Sequence, residues 1–253
     1  MNAPLVLSFD LDDTLWPVGP VIAAAERDLW SWLHERHPQT VGGHSIESLQ
    51  AMRALTAERY PELGHDLTFL RRRSLKDLFE AAGHAKWPAD AQSPADTESP
   101  GDAQSPVGAQ SPTDAQSLAD EAFEVFFTAR NRVELYDDVQ SSLQRLQSRY
   151  RLFALSNGNA DLRRCGIDHW FAGHVTARSA GAAKPDARIF ARLLTEAGVE
   201  AHEVLHIGDD PVTDVGGAMR AGMQAVWLNR DGRAWPHDLA PPPRTIKTLA
   251  EII

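Results

Sequence analysis

The sequence predicts an α/β protein: a doubly wound, parallel, Rossmann-like sheet with a mainly helical unit inserted behind its first strand. Three observations carry this. Short apolar runs (LVLSF at 5–9, LFAL at 152–155, VLHI at 204–207 and AVWL at 225–228) have the length and β-branching of buried strands. In the C-terminal half these runs alternate with helical patterns, the order a parallel sheet covered on both faces requires. Between the first run and about residue 135 the spacing is helical, apart from one low-complexity stretch.

The elements follow in order. LVLSF stops at Asp10. Residues 18–36 place Val21, Ala24, Leu29, Trp32 and Leu33 on one helical stripe. Helical patterns recur at about 45–59 and 67–82. Residues 90–119 differ: DAQSPA, DTESPG, DAQSPV, GAQSPT and DAQSLA are imperfect copies of a hexapeptide. A period-six β-helix needs an aliphatic residue at a fixed place in each copy, and there is none. Proline recurs and bulky apolar residues are absent, so the segment cannot offset its own ordering entropy and is expected to be disordered. Helical pattern returns from about 118 to 132. From Tyr136 the expected order is strand (152–155), a weaker strand (HVTA, 174–177), helix (185–198), strand (204–207), helix (212–222) and strand (225–228). Residues 1–16 and 136–253 then form the core, and 17–135 the insert.

Composition bounds the function. A chain of 253 residues can bury a sizeable core and carry an inserted unit. A formal charge of −10 argues against a nucleic-acid surface but leaves room for a small anionic substrate at a local site. Cys165 stands alone, so no internal disulfide framework exists and a reducing cytoplasm is the expected setting. The N-terminus lacks the basic region of a signal peptide, and no apolar run approaches the roughly 18 residues of a membrane span. Neither membrane nor protein partner is implied.

In open α/β sheets ligands bind beyond the carboxyl ends of the strands. Asp10, Asp12, Asp13 and Thr14 follow the first run; Ser156, Asn157 and Gly158 follow LFAL; Asp209, Asp210 and Asp214 follow VLHI; Lys184 precedes Pro185 at a helix start. Several carboxylates on one sheet edge repel one another unless a cation joins them, and oxygen donors without His or Cys suit magnesium. One carboxylate can attack phosphorus, a second can protonate the leaving alkoxide and later deprotonate water, and a hydroxyl and an ammonium can hold the transferring oxygens.

These residues also resemble a known family. FDLDDTL, LSNGN, AAKPD and HIGDDPVTDVGGA match, in order, the four motifs of haloacid dehalogenase-superfamily phosphatases with a type-one helical cap. The resemblance implies that Asp10 is nucleophile and magnesium ligand. It makes Asp12 the general acid/base and a ligand through its carbonyl. Ser156, Asn157 and Lys184 would bind the phosphoryl group. Asp209 would ligate the metal, with Asp214 as ligand or supporting partner, and Thr14 would steady the first loop. FDLDDTLWP, HDLTFLRRRS and LSNGNADL further resemble a bacterial branch acting on 5-amino-6-(5-phospho-D-ribitylamino)uracil and on flavin mononucleotide, so the expected partner is a small phosphorylated metabolite. Phosphoglycolate and nucleoside monophosphates are alternative substrates, and a catalytically idle binding module is the alternative of another class. A dehalogenase is disfavoured, because that chemistry needs no acid at the position of Asp12.

The remaining polar residues have plainer readings. Asp13 and Asp210 are expected to shape turns. His65-Asp66 reads as a loop and His206 as a sheet residue. Arg71, Arg72 and Arg73 read as a solvated helix face from which one arginine could reach substrate. Trp16, Trp30 and Trp32 read as core.

Overall fold

A computed structural model describes residues 4–83, 114–237, 239 and 244–252. Six parallel strands lie in the order β3-β2-β1-β4-β5-β6: β1 (Val6–Phe9), β2 (Arg151–Ser156), β3 (Gly173–Thr176), β4 (Val204–Gly208), β5 (Gln224–Leu228) and β6 (Arg244–Ile246). β1 is central, with Val6 opposite Arg151 on one side and Val204 on the other. The order reverses at β1, so the crevice of a doubly wound sheet opens between β1 and β4.

Both faces are covered, which is why the strands read as near-continuous apolar runs. Side chains alternate across the pleat. Leu7, Phe9, Leu152, Ala154, Ile207 and Val226 meet helix α5 (Val139–Gln147) through Val139, Leu143 and Leu146. Val6, Phe153, Leu155, Val204 and Trp227 meet helix α7 (Ala187–Ala197) through Ile189, Phe190 and Leu193. A four-residue helix, α6 (Ala177–Ala180), leads toward α7. The pattern at 212–222 forms a π-helical turn over Pro211–Gly216 and then α8 (Gly217–Arg220).

The segment between β1 and α5 contributes α1 (Val18–Arg36), α2 (Ile46–Arg59), α3 (Leu67–Ala81) and α4 (Ala115–Arg130). Ser45 opens α2 with a capping box, and Asp66 caps α3 by accepting from Phe69 N at 2.9 Å, so His65-Asp66 is a helix start. Leu29 and Leu33 of α1, Leu78 and Phe79 of α3, and Ala122, Phe123 and Phe126 of α4 form a cluster distinct from the two flanking the sheet. On α1 the buried stripe is Val21, Ala25, Leu29 and Leu33; Ala24 and Trp32 lie at its margin, as does Trp30. No described helix is long and apolar enough to cross a membrane.

Two further expectations need correction. Residues 90–113 of the repeat segment lie outside the described residues, but 114–119 are ordered. Asp114 accepts from Ser117 N at 2.7 Å as the cap of α4, and Ala115, Leu118 and Ala119 are buried. Polar residues on one side of that turn hid an apolar contact on the other. Likewise Arg71 is not on a solvated face. It is buried, its Nη2 lies 2.7 Å from Glu26 Oε1, and its guanidinium stacks 3.3 Å from the centre of the Phe126 ring. Arg72 and Arg73 instead form more open pairs with Asp120 and Asp77.

Burial pulls the Arg71 guanidinium down to about 10. Burial also raises the Glu26 carboxyl, but Arg71 and Arg53 outweigh it and hold it below its ordinary value. Arg71→Met is therefore expected to destabilise the protein by about 2–3 kcal/mol in a denaturant titration at pH 7, somewhat less than full loss of a buried pair because Arg53 remains on Glu26. Glu26 has a depressed folded pKa, so its contribution is complete above the unfolded carboxylate value and is lost as pH falls through the folded one. The difference between the two proteins should shrink in strongly acidic buffer.

Candidate active site

β1 runs straight into the site. Asp10 N still donates to Ile207 O at 2.9 Å, so the nucleophile candidate is held by the sheet ladder itself. The chain then turns sharply. Asp13 is the sole described non-glycine residue with positive φ, at 59°, and its Oδ1 accepts from Val18 N at 2.9 Å to start α1. Thr14 Oγ1 reaches Asp209 Oδ1 at 3.4 Å, tying the loops after β1 and β4 together. Asp210 caps the π-helical turn through Val212 N and Thr213 N. Asp13 and Asp210 thus shape the backbone, as expected.

Lys184 is the electrostatic centre. Its buried Nζ donates to Asp10 Oδ1 at 2.5 Å, Asp214 Oδ1 at 2.6 Å and Leu155 O at 2.9 Å. Burial alone would lower its pKa, but Asp10 and Asp214 more than reverse this and keep it charged. Burial likewise pulls Asp214 up, and Lys184 with His206 overcomes it and holds the carboxyl far below its usual range. Asp10 goes the other way: burial, joined by Asp214 and Asp12, pushes it well above normal despite Lys184. Burial and Asp214 push Asp209 up to about 6, with Arg233 opposing.

Asp214 uses both its oxygens inside the protein: Oδ1 faces Lys184 and His206 Nε2, and Oδ2 accepts from Asp210 N at 3.0 Å. The site therefore places Asp214 as a support for the lysine and the β4 loop. His206, fully buried, shares its other ring nitrogen with Ser8 Oγ at 2.6 Å. Gly208 has to be glycine, because a Cβ there would meet the Asp214 carboxyl at 2.3 Å.

Ser156 Oγ accepts from Gly158 N at 2.9 Å, which turns the loop after β2. Asn157 grips the backbone of Lys184 in both directions, accepting from its N at 2.7 Å and donating to its O at 2.9 Å. Its side chain thus positions the lysine. Asp10, Asp12, Ser156, Asn157, Gly158, Lys184, Asp209 and Asp214 line one cavity of about 120 Å³. A second, of about 630 Å³, shares Gly158 with it and is lined by His65, Thr68 and Phe127 from the segment between β1 and α5, and by Asn159 of the loop after β2, His174 of β3 and Arg178 of α6. The small cavity holds Lys184 and the carboxylates around it, and the large one has the size of a pocket for a small organic molecule.

Three contacts had no sequence signal. Arg130 Nη2, from the last residue of α4, donates to both Asp12 oxygens, at 2.8 and 2.6 Å. Trp16 Nε1 donates to Asp12 Oδ1 at 2.9 Å, so this tryptophan is core and site at once. Arg233 Nη2 lies 3.0 Å from Asp209 Oδ2.

The donor set suits a hard divalent cation. Among the described residues, Asp10, Asp209 and Asp214 each offer an oxygen within 4.8 Å of the others and no Cys or His belongs to that group; Asp10 and Asp209 are the pair left to a cation once both Asp214 oxygens are engaged within the protein.

The sequence pattern of haloacid dehalogenase-like hydrolases matches residues 5–222. The chain belongs to this family. Among family members, it is 30% identical over 239 residues to the 5-amino-6-(5-phospho-D-ribitylamino)uracil phosphatase YigB of Escherichia coli (strain K12), covering 93% of this chain and 89% of that protein. It is 36% identical over 129 residues to a phosphoserine phosphatase of Thermus thermophilus, covering 49% of this chain and 52% of that one. The crystal structure of a 2-haloacid dehalogenase from Pseudomonas syringae pv. Tomato DC3000 superposes with a TM-score of 0.81 at 36% identity, covering 98% of this chain and 95% of that chain. The six-stranded parallel sheet with flanking helices is the family fold. With phosphatases among its relatives, this family member is a phosphoric monoester hydrolase.

Proposed function

We propose that this hydrolase is a magnesium-dependent phosphatase acting through an aspartyl-phosphate on Asp10, with 5-amino-6-(5-phospho-D-ribitylamino)uracil or flavin mononucleotide as substrate, and hence a role in riboflavin biosynthesis. The observation that carries the chemistry is Lys184 held between Asp10 and Asp214 while Asp12 faces the same small cavity. Likeness to YigB over 93% of the chain supports the substrate, and a cavity of about 630 Å³ beside the carboxylates suits a leaving group larger than glycolate.

Asp10, the Asp12 carbonyl and Asp209 would hold the magnesium ion. When bound, it would neutralise the carboxylates and phosphoryl oxygens that Lys184 alone cannot balance. An oxygen of Asp10 attacks phosphorus in line. The ester P–O bond breaks with its electron pair on the leaving oxygen, which takes the proton of Asp12. Water then attacks the acyl-phosphate, gives its proton back to Asp12 and releases Asp10 and inorganic phosphate. Lys184 and Ser156 hold the equatorial oxygens through both steps. α1 to α4 form a helical cap that screens the site from water and bulky substrates. The cysteine content fits a reducing cytoplasm.

Phosphate release from a panel containing the ribitylaminouracil phosphate, flavin mononucleotide, phosphoglycolate and nucleoside monophosphates tests this, with magnesium and with chelator. Turnover should favour the first two esters and fall at least about 100-fold when the metal is removed. Equal turnover of all esters would remove the riboflavin assignment. Because a structural relative is a 2-haloacid dehalogenase, 2-chloropropionate belongs in the panel. Metal-independent chloride release from it would replace the phosphatase reading.

A further inference from the structure

We infer that Arg130 is the positioning residue for the general acid: it sets the Asp12 carboxyl at the rim of the phosphoryl cavity, from the end of a helix that belongs to the cap. This rests on the phosphatase reading above. Asp12 is on a loop, and a carboxyl on a loop has rotamers to choose from, whereas proton transfer to a leaving oxygen requires one. Three donated contacts restrict it. Arg130 Nη2 bridges Oδ1 and Oδ2, and Trp16 Nε1 takes Oδ1 from within the buried core. The fourth side is closed by main chain: a Cβ on Gly158 would lie 2.4 Å from Asp12 Oδ2 and 3.2 Å from Arg130 Nη2.

Arg130 is committed to this task. Its side chain is 1% exposed, against 20% for that of Asp12. Its other terminal nitrogen, Nη1, is buried with no hydrogen-bond partner among the described residues, so the guanidinium serves no second carboxylate. The neighbouring Asn131 accepts from Asp161 N at 2.7 Å in the loop after β2. The end of α4 thus touches the loops of both β1 and β2, and seating of the cap on the sheet and placement of the acid become one event.

Leaving-group dependence separates this role from a structural one. An alkoxide needs the proton of Asp12, and 4-nitrophenolate departs without one. kcat/KM covers only the steps through departure of the alcohol, so hydrolysis of the acyl-phosphate, common to both esters, does not enter. With magnesium present, kcat/KM is measured for 4-nitrophenyl phosphate and for the alkyl ester of the panel with the highest value. Arg130→Gln should lose about 100-fold on the alkyl ester and under about 5-fold on the aryl ester. Arg130→Lys, which keeps a donor of shorter reach, should recover part of the difference. Trp16→Phe, which removes the N–H together with part of the buried indole, should, where it still folds, show the same selectivity at about 5–10-fold. Equal losses on the two esters, or none on either, in variants whose circular dichroism and melting midpoint match the parent, would overturn the inference. If Arg130→Gln does not fold, an unchanged ester ratio in Trp16→Phe overturns it. A parent protein that hydrolyses neither ester would instead take down the phosphatase reading.

Discussion

Asp10→Asn is expected to lower phosphate release by at least about 10⁴-fold, because the amide has no lone-pair anion to attack phosphorus and no other described carboxylate stands at its place on the sheet ladder. The fold should survive. Burial already disfavours charge on Asp10, so a neutral side chain of the same shape relieves a desolvation cost while Lys184 keeps Asp214 and Leu155 O as partners. The melting midpoint should stay within a few degrees of the parent, roughly what a change of 1–2 kcal/mol gives at this size. Acid-quenched parent protein turning over substrate should carry phosphate on the peptide containing Asp10, and the variant should carry none. A variant that retains activity would remove Asp10 as nucleophile.

Lys184→Met should damage both stability and turnover. It leaves two buried carboxylates facing each other with no ammonium between them, a loss of about 3–5 kcal/mol. At roughly 2–4 °C per kcal/mol for a chain of this size, the midpoint should drop by about 6–20 °C. At a temperature where the variant is still folded, kcat should fall by about 10²–10³, as for loss of one donor to a developing oxyanion. Added magnesium should restore part of the stability and little of the rate, since a cation can neutralise the carboxylates but cannot replace an ammonium aimed at the phosphoryl oxygen. Thermal melts with and without the metal, beside initial rates, check both halves.

The parts of this architecture that were readable in the sequence are those governed by short-range rules. A short apolar run that gives way to polar residues or glycine marks a buried strand and its carboxyl end, and that rule places Asp10, Ser156 and Asp209 on one sheet edge. Helical spacing found α1 to α3 for the same reason. What stayed hidden depends on contacts between distant segments. Arg130 sits 118 positions from Asp12, and in AFEVFFTARN it reads as a basic residue closing a helix. Arg71 looks solvated in a run of three arginines, and its burial is explained by Glu26, 45 positions away, and by the Phe126 ring. β6 is three residues long after a proline-rich stretch, too short for any periodicity. The double grip of Asn157 on Lys184 needs the loops after β2 and before α7 to meet, which no local pattern announces.

The position of β1 has a consequence for the order in which the molecule is made. It leaves the ribosome before the other described strands and lies in the middle of the sheet, with neighbours that begin at Arg151 and Val204. Helices α1, α3 and α4, made between β1 and β2, form a cluster of their own and can collapse while synthesis continues. β1 meanwhile carries two unsatisfied edges and four buried side chains with nothing to cover them. Its pairings are the longest-range contacts of the sheet, and such contacts form late and slowly. Asp10 N finds its acceptor, Ile207 O, only once β4 exists. Asp10 is thus translated ahead of the sheet that holds it and aligned near the end, so an incomplete chain carries the carboxylate without the geometry around it.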